Sequence, residues 1–165
     1  MPWYRRSAET TRHAPWFGHK AGGATAPNLF FNRLLESWPM PDPSPLEVFE
    51  SPTDTPFVIE HVSEEFTSVC PKTGHPDFGE VTLVYEPAPK SRGGTCVELK
   101  SLKLYYQSFR NEGIFYEAVT NTIRDHLASL MKPTWLLIVT DWKGRGGIRS
   151  SIRAAHGNVP EMWMR

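Results

Sequence analysis

The spacing of apolar residues changes along the chain and separates strand-like segments from helical ones. Val81, Leu83 and Tyr85 alternate with residues that are in part polar, which is typical of a strand with one buried face. Short apolar runs bounded by turn residues predict further strands at residues 57–62, 66–70 and 135–139, and an alternating pattern predicts a half-exposed strand at residues 147–155.

Two helices are predicted between these strands. Residues 101–110 combine leucines with aromatic side chains, and Gly113 ends this first helical segment. From Ile114 the apolar residues recur at helical spacing until Lys132-Pro133, where proline ends a second helix. This order predicts the α+β fold class, with a four-stranded antiparallel sheet and both helices on one face. The open edges of such a sheet favour a ring-forming oligomer, because unpaired edge strands are usually covered.

The first part of the chain has a different composition. Nine of the fifteen prolines lie before residue 57, and closely spaced prolines of this kind give extended chain without regular elements. Residues 28–37 predict a short helix within this region. We therefore expect an irregular, proline-rich N-terminal extension over residues 1–45 and one folded domain over residues 46–165.

Composition narrows the class of function without identifying it. Lysine plus arginine equals aspartate plus glutamate at 18 each, so no net charge draws the chain directly to nucleic acid. The longest apolar run, residues 135–139, is far too short to cross a membrane, and no secretory signal is visible. Two cysteines form no disulfide framework in a chain of this length. We therefore expect a cytoplasmic protein without a membrane or nucleic-acid partner.

The candidate chemistry is concentrated between residues 66 and 79. Cys70 ends an apolar run, and the prolines at 71 and 76 favour a rigid loop. Asp77 follows Cys70 at a spacing of seven. A loop that presents a sulfur and a carboxyl fits a reacting thiol beside a proton donor. A lone cysteine is more often a small buried hydrophobe, so these residues alone indicate a possible thiol enzyme and no more.

Two groups of cations form further candidates. Lys100 and Lys103 share one face of the first predicted helix, so their ammonium groups point to one place, or simply into solvent. Residues 143–147 place Lys143 and Arg145 among glycines that let backbone amides approach an anion. The same pattern also fits a plain turn into the last strand.

A carboxylate and a histidine complete the candidates. Glu117 lies in the first turn of the second helix, where the helix dipole alone favours it. Beside Phe115 and Tyr116, whose rings can stack on a base, it could also accept two parallel N–H donors from a guanine-like edge. His75 has no ligand partners at metal-like spacing, so we predict no metal site.

Several of these segments follow one another in an order that a known family shares. They include Cys-Pro-Lys-Thr-Gly from Cys70, Glu-Leu-Lys-Ser-Leu-Lys from Glu98, and residues 108–113, 115–117 and 145–148. Together they resemble the short, single-module NADPH-dependent 7-cyano-7-deazaguanine reductases, the nitrile reductases that serve queuosine modification of tRNA. The likeness runs over residues 46–155.

The resemblance implies a fold, an assembly and a reaction. The family has the tunnelling fold of GTP cyclohydrolase, in which the sheets of several subunits join into a barrel. Short members assemble as homodecamers of two stacked pentamers, with active sites at subunit interfaces. The reaction would reduce a deazapurine nitrile to a primary amine, with two molecules of NADPH supplying the four electrons.

The resemblance also implies a role for each matching residue. Cys70 would attack the nitrile carbon to give a covalent thioimide, and Asp77 would protonate the nitrogen. Glu117 would anchor the deazaguanine ring. Further substrate contacts would come from Phe115, Tyr116, Glu98, Leu99 and Ser101, and NADPH contacts from Lys100, Lys103, Arg145 and Gly146.

One residue departs from the family pattern. Many members carry histidine before the substrate-binding glutamate, where this chain has Tyr116. Tyrosine can stack and hydrogen-bond, but it does not titrate near neutral pH. Two alternatives stay open, namely a related amidinotransferase, which should lack the lysine-bearing signature, and a non-catalytic purine-binding ring protein.

Overall fold

The computed structural model describes residues 41–164. The predicted helix at 28–37 lies outside this range, and the predicted domain boundary after residue 45 stays a prediction. No helix of the described part is long and apolar enough to span a bilayer. The elements, in chain order, are strands β1 (Val48–Glu50), β2 (Ile59–Val69), β3 (Pro76–Glu86) and β4 (Thr95–Val97), helices α1 (Leu99–Ser108) and α2 (Tyr116–Met131), and strands β5 (Trp135–Arg145) and β6 (Ile148–Gly157).

The strands form two antiparallel sheets. Strands β2, β3, β5 and β6 are neighbours in that order, and β1 pairs with β4 in a separate two-stranded sheet. Both helices contribute to the same hydrophobic core on one face of the larger sheet. The α+β class with two helices and antiparallel sheets is therefore confirmed. The fully buried side chains of this core include Phe66, Leu83, Tyr85, Tyr105, Phe109, Ile123, Leu127 and Ile138.

Three details differ from the prediction. The two segments predicted at 57–62 and 66–70 are one strand, β2, with a bulge between Ser63 and Phe66 that absorbs the polar residues separating them. The short strands β1 and β4, which pair with each other, were not predicted. Asp77 was predicted in a rigid loop, which is wrong, because β3 already begins at Pro76. Proline is tolerated as the first residue of a strand, because the hydrogen-bond ladder does not need its N–H at that position.

Candidate active site

Cys70 and Asp77 meet at one end of the larger sheet. Cys70 directly follows β2, and Asp77 is the second residue of the antiparallel neighbour β3. Side chains alternate along a strand, so Asp77 faces the same side as the core residues Val81 and Leu83, which is the side of the helices. Asp77 is only 3% exposed. The hairpin between β2 and β3 therefore places a buried carboxyl beside the thiol loop.

Residues from α2 and β5 complete the group around Asp77. The Tyr116 hydroxyl, from the first residue of α2, donates a hydrogen bond of 2.5 Å to Asp77 Oδ1. The guanidinium of Arg145, at the end of β5, forms an ion pair with the same oxygen. The segment before α2 is fixed to the end of β2, because the Ile114 N–H donates to the Val69 carbonyl at 3.2 Å. Three elements thus converge on one carboxylate.

Burial and the neighbouring Asp77 raise the pKa of Tyr116 to about 12. Tyr116 therefore keeps its proton and is a hydrogen-bond donor throughout the physiological pH range, as expected of a tyrosine at this position. Its ring lies flat on the indole of Trp142, with ring centroids 3.9 Å apart and an interplanar angle of 10°. The Arg145 guanidinium carbon lies 6.0 Å from the Tyr116 ring centroid.

The loop after β2 favours the ionised form of Cys70. Hydrogen bonds from the Thr73 hydroxyl, from Arg145 and from the Lys72 backbone lower the pKa of Cys70 to about 7. The loop is closed by the Gly74 N–H on the Cys70 carbonyl at 2.8 Å and by the Cys70 N–H on the His75 carbonyl at 2.9 Å. A substantial fraction of Cys70 is therefore thiolate at neutral pH, and the thiolate is the nucleophilic form.

Replacing Thr73 with valine should raise the pKa of Cys70, because the largest stabilising hydrogen bond to the thiolate is lost. The alkylation rate of the thiol by iodoacetamide would then rise with pH at a higher midpoint, and alkylation at pH 7 would be slower. Thr73→Ser keeps the hydroxyl and should keep the midpoint. Identical titration curves for the valine variant and the natural protein would show that Thr73 does not stabilise the thiolate.

The start of α1 holds a second group of the predicted residues. The Glu98 carboxylate accepts the Lys100 N–H at 2.9 Å and the Ser101 N–H at 2.7 Å, which caps the helix. The Ser101 hydroxyl accepts the Glu47 N–H at 3.0 Å. Glu98 and Ser101 thus have structural partners of their own, whereas Leu99, Lys100 and Lys103 are exposed.

This second group does not join the first within the described chain. Lys103 lines a groove of about 200 Å³ between α1 and β2, together with Arg110 and Tyr106. Neither Cys70 nor Asp77 lines that groove. Arg145 was predicted to act with the lysines on the cofactor, yet its partners in the structure are Asp77 and Cys70.

The remaining predicted residues lie near Tyr116 or in the adjoining turn. Phe115 is the N-cap of α2, and Glu117 is exposed in the first turn of that helix. Gly146 and Gly147 make the tight turn between β5 and β6 with φ angles of 55° and 83°, which favour glycine. Within residues 41–164, no group of three or more His, Cys, Asp or Glu is placed to hold a metal ion.

Two residues of the group around Asp77 were not singled out from the sequence. Thr73 lies inside the Cys-Pro-Lys-Thr-Gly segment, but nothing in the sequence indicates that its hydroxyl turns back onto the thiol. Trp142 continues the apolar alternation of β5 beyond residue 139, and that alternation was the signal that could have found it.

Comparison with known proteins gives consistent matches. The family model described as QueF-like protein matches residues 76–161. The chain is 53% identical over 115 residues to an NADPH-dependent 7-cyano-7-deazaguanine reductase of Prosthecochloris aestuarii, which covers 69% of this chain and 93% of that relative. A reductase of the same name from Rhodopirellula baltica is 53% identical over 108 residues, covering 65% of this chain and 85% of that relative.

A solved structure supports the fold. The apo form of the archaeosine synthase QueF-Like matches with a TM-score of 0.54 at 21% identity, covering 67% of this chain and 100% of that one. At such a low identity the match concerns the fold alone.

Proposed function

The chain belongs to the family of the NADPH-dependent 7-cyano-7-deazaguanine reductases, and we propose that it reduces 7-cyano-7-deazaguanine to 7-aminomethyl-7-deazaguanine through a covalent bond to Cys70. The observation that carries this mechanism is the group formed by a thiol of lowered pKa, a buried carboxylate and a guanidinium that touches both. Such a group can make a sulfur nucleophile and move its proton without help from solvent.

The first step forms a bond between Cys70 Sγ and the nitrile carbon. The proton lost by the thiol passes to Asp77 and from there to the nitrile nitrogen, which becomes the N–H of a thioimide. The S–H bond and one π bond of the nitrile are replaced by a C–S bond and an N–H bond. The step needs no reductant, and Asp77 ends in the protonation state in which it began. The covalent bond holds the substrate through the first reduction, after which the nitrogen lone pair expels the Cys70 thiolate and leaves an imine. The second reduction converts this imine to the amine, so the C–S bond breaks before the amine is completed.

Arg145 and Tyr116 prepare this step. The Arg145 guanidinium stabilises negative charge on the sulfur and on Asp77 while either of them is ionised. Tyr116 donates to Asp77 Oδ1 and so orients the carboxyl toward the thiol loop. In place of the titratable histidine of many relatives, this chain thus has a fixed hydrogen-bond donor.

The residues at the start of α1 suit a phosphate-bearing cofactor. Lys100 and Lys103 are exposed on one helix face, and Arg110 adds a third cation to the adjoining groove. These side chains would bind the phosphates of NADPH, and Gly146 would add a backbone contact. When bound, NADPH supplies the electron pairs for the two reductions.

The substrate ring would lie against the start of α2. Glu117 is exposed and can accept two parallel N–H donors from the guanine-like edge, with Phe115 as an apolar neighbour. Glu98, Leu99 and Ser101 lie at the start of another helix. They can complete the same site only from a neighbouring subunit or after movement of the chain.

Assembly of subunits is therefore part of the proposal. Strand β2 is an edge of the four-stranded sheet; Val62 on this strand exposes 48% of its surface, and Val58, directly before the strand, exposes 42%. Pairing of such edges around a ring would give the barrel of the tunnelling fold, as a homodecamer of two stacked pentamers. A cytoplasmic location fits the two free cysteines, Cys70 and Cys96.

The decisive experiment mixes purified protein with 7-cyano-7-deazaguanine and NADPH while following the loss of absorbance of reduced cofactor. Consumption of two NADPH for each nitrile, with the aminomethyl product identified by mass spectrometry, is the expected result. A covalent adduct without NADPH consumption would instead favour the amidinotransferase alternative. Binding without either would favour the non-catalytic alternative.

Replacing Lys100 and Lys103 together with alanine should raise the apparent KM for NADPH by about tenfold or more, since charge-assisted contacts to phosphate are lost. The KM for the nitrile should change much less. Steady-state kinetics with each substrate varied in turn would measure both constants. Lys90→Ala is a suitable control, because Lys90 pairs with Glu50 in the turn before β4. Equal increases in both constants would make the two lysines structural.

A further inference from the structure

A chain of buried hydrogen bonds lies beneath Tyr116. The Trp142 indole N–H donates to Thr140 Oγ1 at 3.0 Å. Thr140 Oγ1 is 2.7 Å from Thr120 Oγ1, and the Thr120 hydroxyl also lies 2.9 Å from the Tyr116 carbonyl. Both threonines are 0% exposed, and Trp142 is 2% exposed. The chain therefore links β5 to the first turn of α2 within the core.

The Trp142 ring has little freedom to move. Its N–H is fixed by Thr140, and one face of the indole is covered by the stacked Tyr116 ring. Gly79 lies opposite Trp142 in the β3–β5 ladder. A Cβ at Gly79 would be 3.1 Å from an indole carbon and 3.0 Å from the Asp141 carbonyl oxygen, so the absence of a side chain there leaves room for the indole.

Packing alone does not require this polar chain. Valine has the same β-branched shape as threonine and would occupy positions 120 and 140 without bringing hydroxyls into the core. Burying a hydroxyl is costly unless it is hydrogen-bonded, and both hydroxyls here are bonded: Thr120 to the Tyr116 carbonyl and to Thr140, and Thr140 also to the Trp142 N–H. Thr140 thus fixes the indole of Trp142 through a hydrogen bond, and the indole in turn fixes the plane of the Tyr116 ring by stacking.

We propose that Trp142, held by Thr140, is a positioning residue that sets the angle of the Tyr116 ring and thereby aims its hydroxyl at Asp77. Neither residue touches the substrate in this mechanism, and both act through the hydrogen bond of 2.5 Å between Tyr116 and Asp77. The inference rests on the proposed function, because it assigns to Asp77 the proton transfer to the nitrile.

Two variants disturb the indole in different ways. Thr140→Val removes the acceptor for the Trp142 N–H and keeps the volume, whereas Gly79→Ala pushes on the indole by a few tenths of an ångström and keeps its hydrogen bond. Thr140→Ser restores the acceptor. Thr122→Val is the matched control, because Thr122 is a buried threonine of α2 outside the Trp142–Thr140–Thr120 chain.

The measurements are thermal unfolding, kcat, the KM for the nitrile, and the single-turnover rate of adduct formation on Cys70. We expect Thr140→Val and Gly79→Ala to lower kcat and the rate of adduct formation by roughly tenfold to a hundredfold with little change in KM, since small misplacements of a proton-transfer group cost rates of this order. Thr140→Ser should recover most of the rate, and Thr122→Val should keep the natural rate.

The outcomes separate this inference from the proposed function. If the natural protein consumes two NADPH per nitrile, and folded Thr140→Val and Gly79→Ala match it in kcat and adduct rate, the positioning role is wrong and the function stands. A rate loss in Thr140→Val that Thr140→Ser does not recover, or an equal loss in Thr122→Val, would also overturn it. If the natural protein forms no adduct and oxidises no NADPH, the proposed function itself fails.

Discussion

Cys70→Ala is expected to abolish both nitrile reduction and formation of the covalent adduct, because alanine offers no group that can bond to the nitrile carbon. In covalent catalysis the bound thioimide divides one difficult reaction into easier steps. Without the sulfur the thioimide cannot form, and the hydride would have to add to the unactivated nitrile. The loss should exceed about four orders of magnitude in kcat, as it does when the nucleophile of a covalent enzyme is removed. NADPH oxidation and intact-protein mass spectrometry with the nitrile would measure the two effects.

Cys96→Ala provides the matched control for this experiment. Cys96 is 1% exposed on β4, and burial raises the pKa of its thiol, so it is an unreactive core residue. The Cys96 variant should keep the adduct and the two-NADPH stoichiometry, with some loss of thermal stability. Turnover by folded Cys70→Ala, or an adduct that disappears with Cys96, would refute the assignment of the nucleophile.

The sequence predicts the helices better than the strands. The predicted helices, 101–110 and 114–132, correspond to Leu99–Ser108 and Tyr116–Met131, because glycine and proline mark the ends of helices in the sequence itself. The strand predicted at 135–139 continues to Arg145, since its buried face carries Thr140 and Trp142 after the continuous apolar run ends. Strand ends depend on the neighbouring strand, and the sequence does not reveal that neighbour.

The site was predictable only where it is local in sequence. Cys70 and Asp77 follow each other closely on one hairpin, and their chemistry is visible in the residues between them. Arg145 reaches them from the end of β5, and only the strand order places that end beside β3. In the sequence, Lys100, Lys103 and Arg145 all suggested an anion-binding site. The sequence does not distinguish a guanidinium that binds the thiolate and carboxylate of its own chain from one that binds a cofactor phosphate.

Substitution of Asp77 is expected to give the second large loss of activity. Asp77→Asn should lower kcat by about two to four orders of magnitude, the usual contribution of a positioned acid or base. Asparagine can still accept the hydrogen bond from Tyr116, but it cannot take the thiol proton and pass it to the nitrile nitrogen. Arg145 would lose its ionic partner but keep its hydrogen bond to the Cys70 thiolate, and because its side chain is 40% exposed its charge stays partly hydrated, so stability should change little.

This substitution tests the proton path separately from the nucleophile. Asp77→Asn should still alkylate with iodoacetamide at Cys70, since that reaction needs only the thiolate, whereas adduct formation with the nitrile should become slow. Glu80→Gln, which changes a carboxylate on the opposite face of the same strand, is the control and should react at the natural rate. Slow alkylation in Asp77→Asn would mean that the carboxylate serves mainly to hold the thiol loop. Fast adduct formation would mean that the nitrile nitrogen takes its proton from another donor, and Tyr116 is then the nearest hydroxyl known to touch this carboxylate.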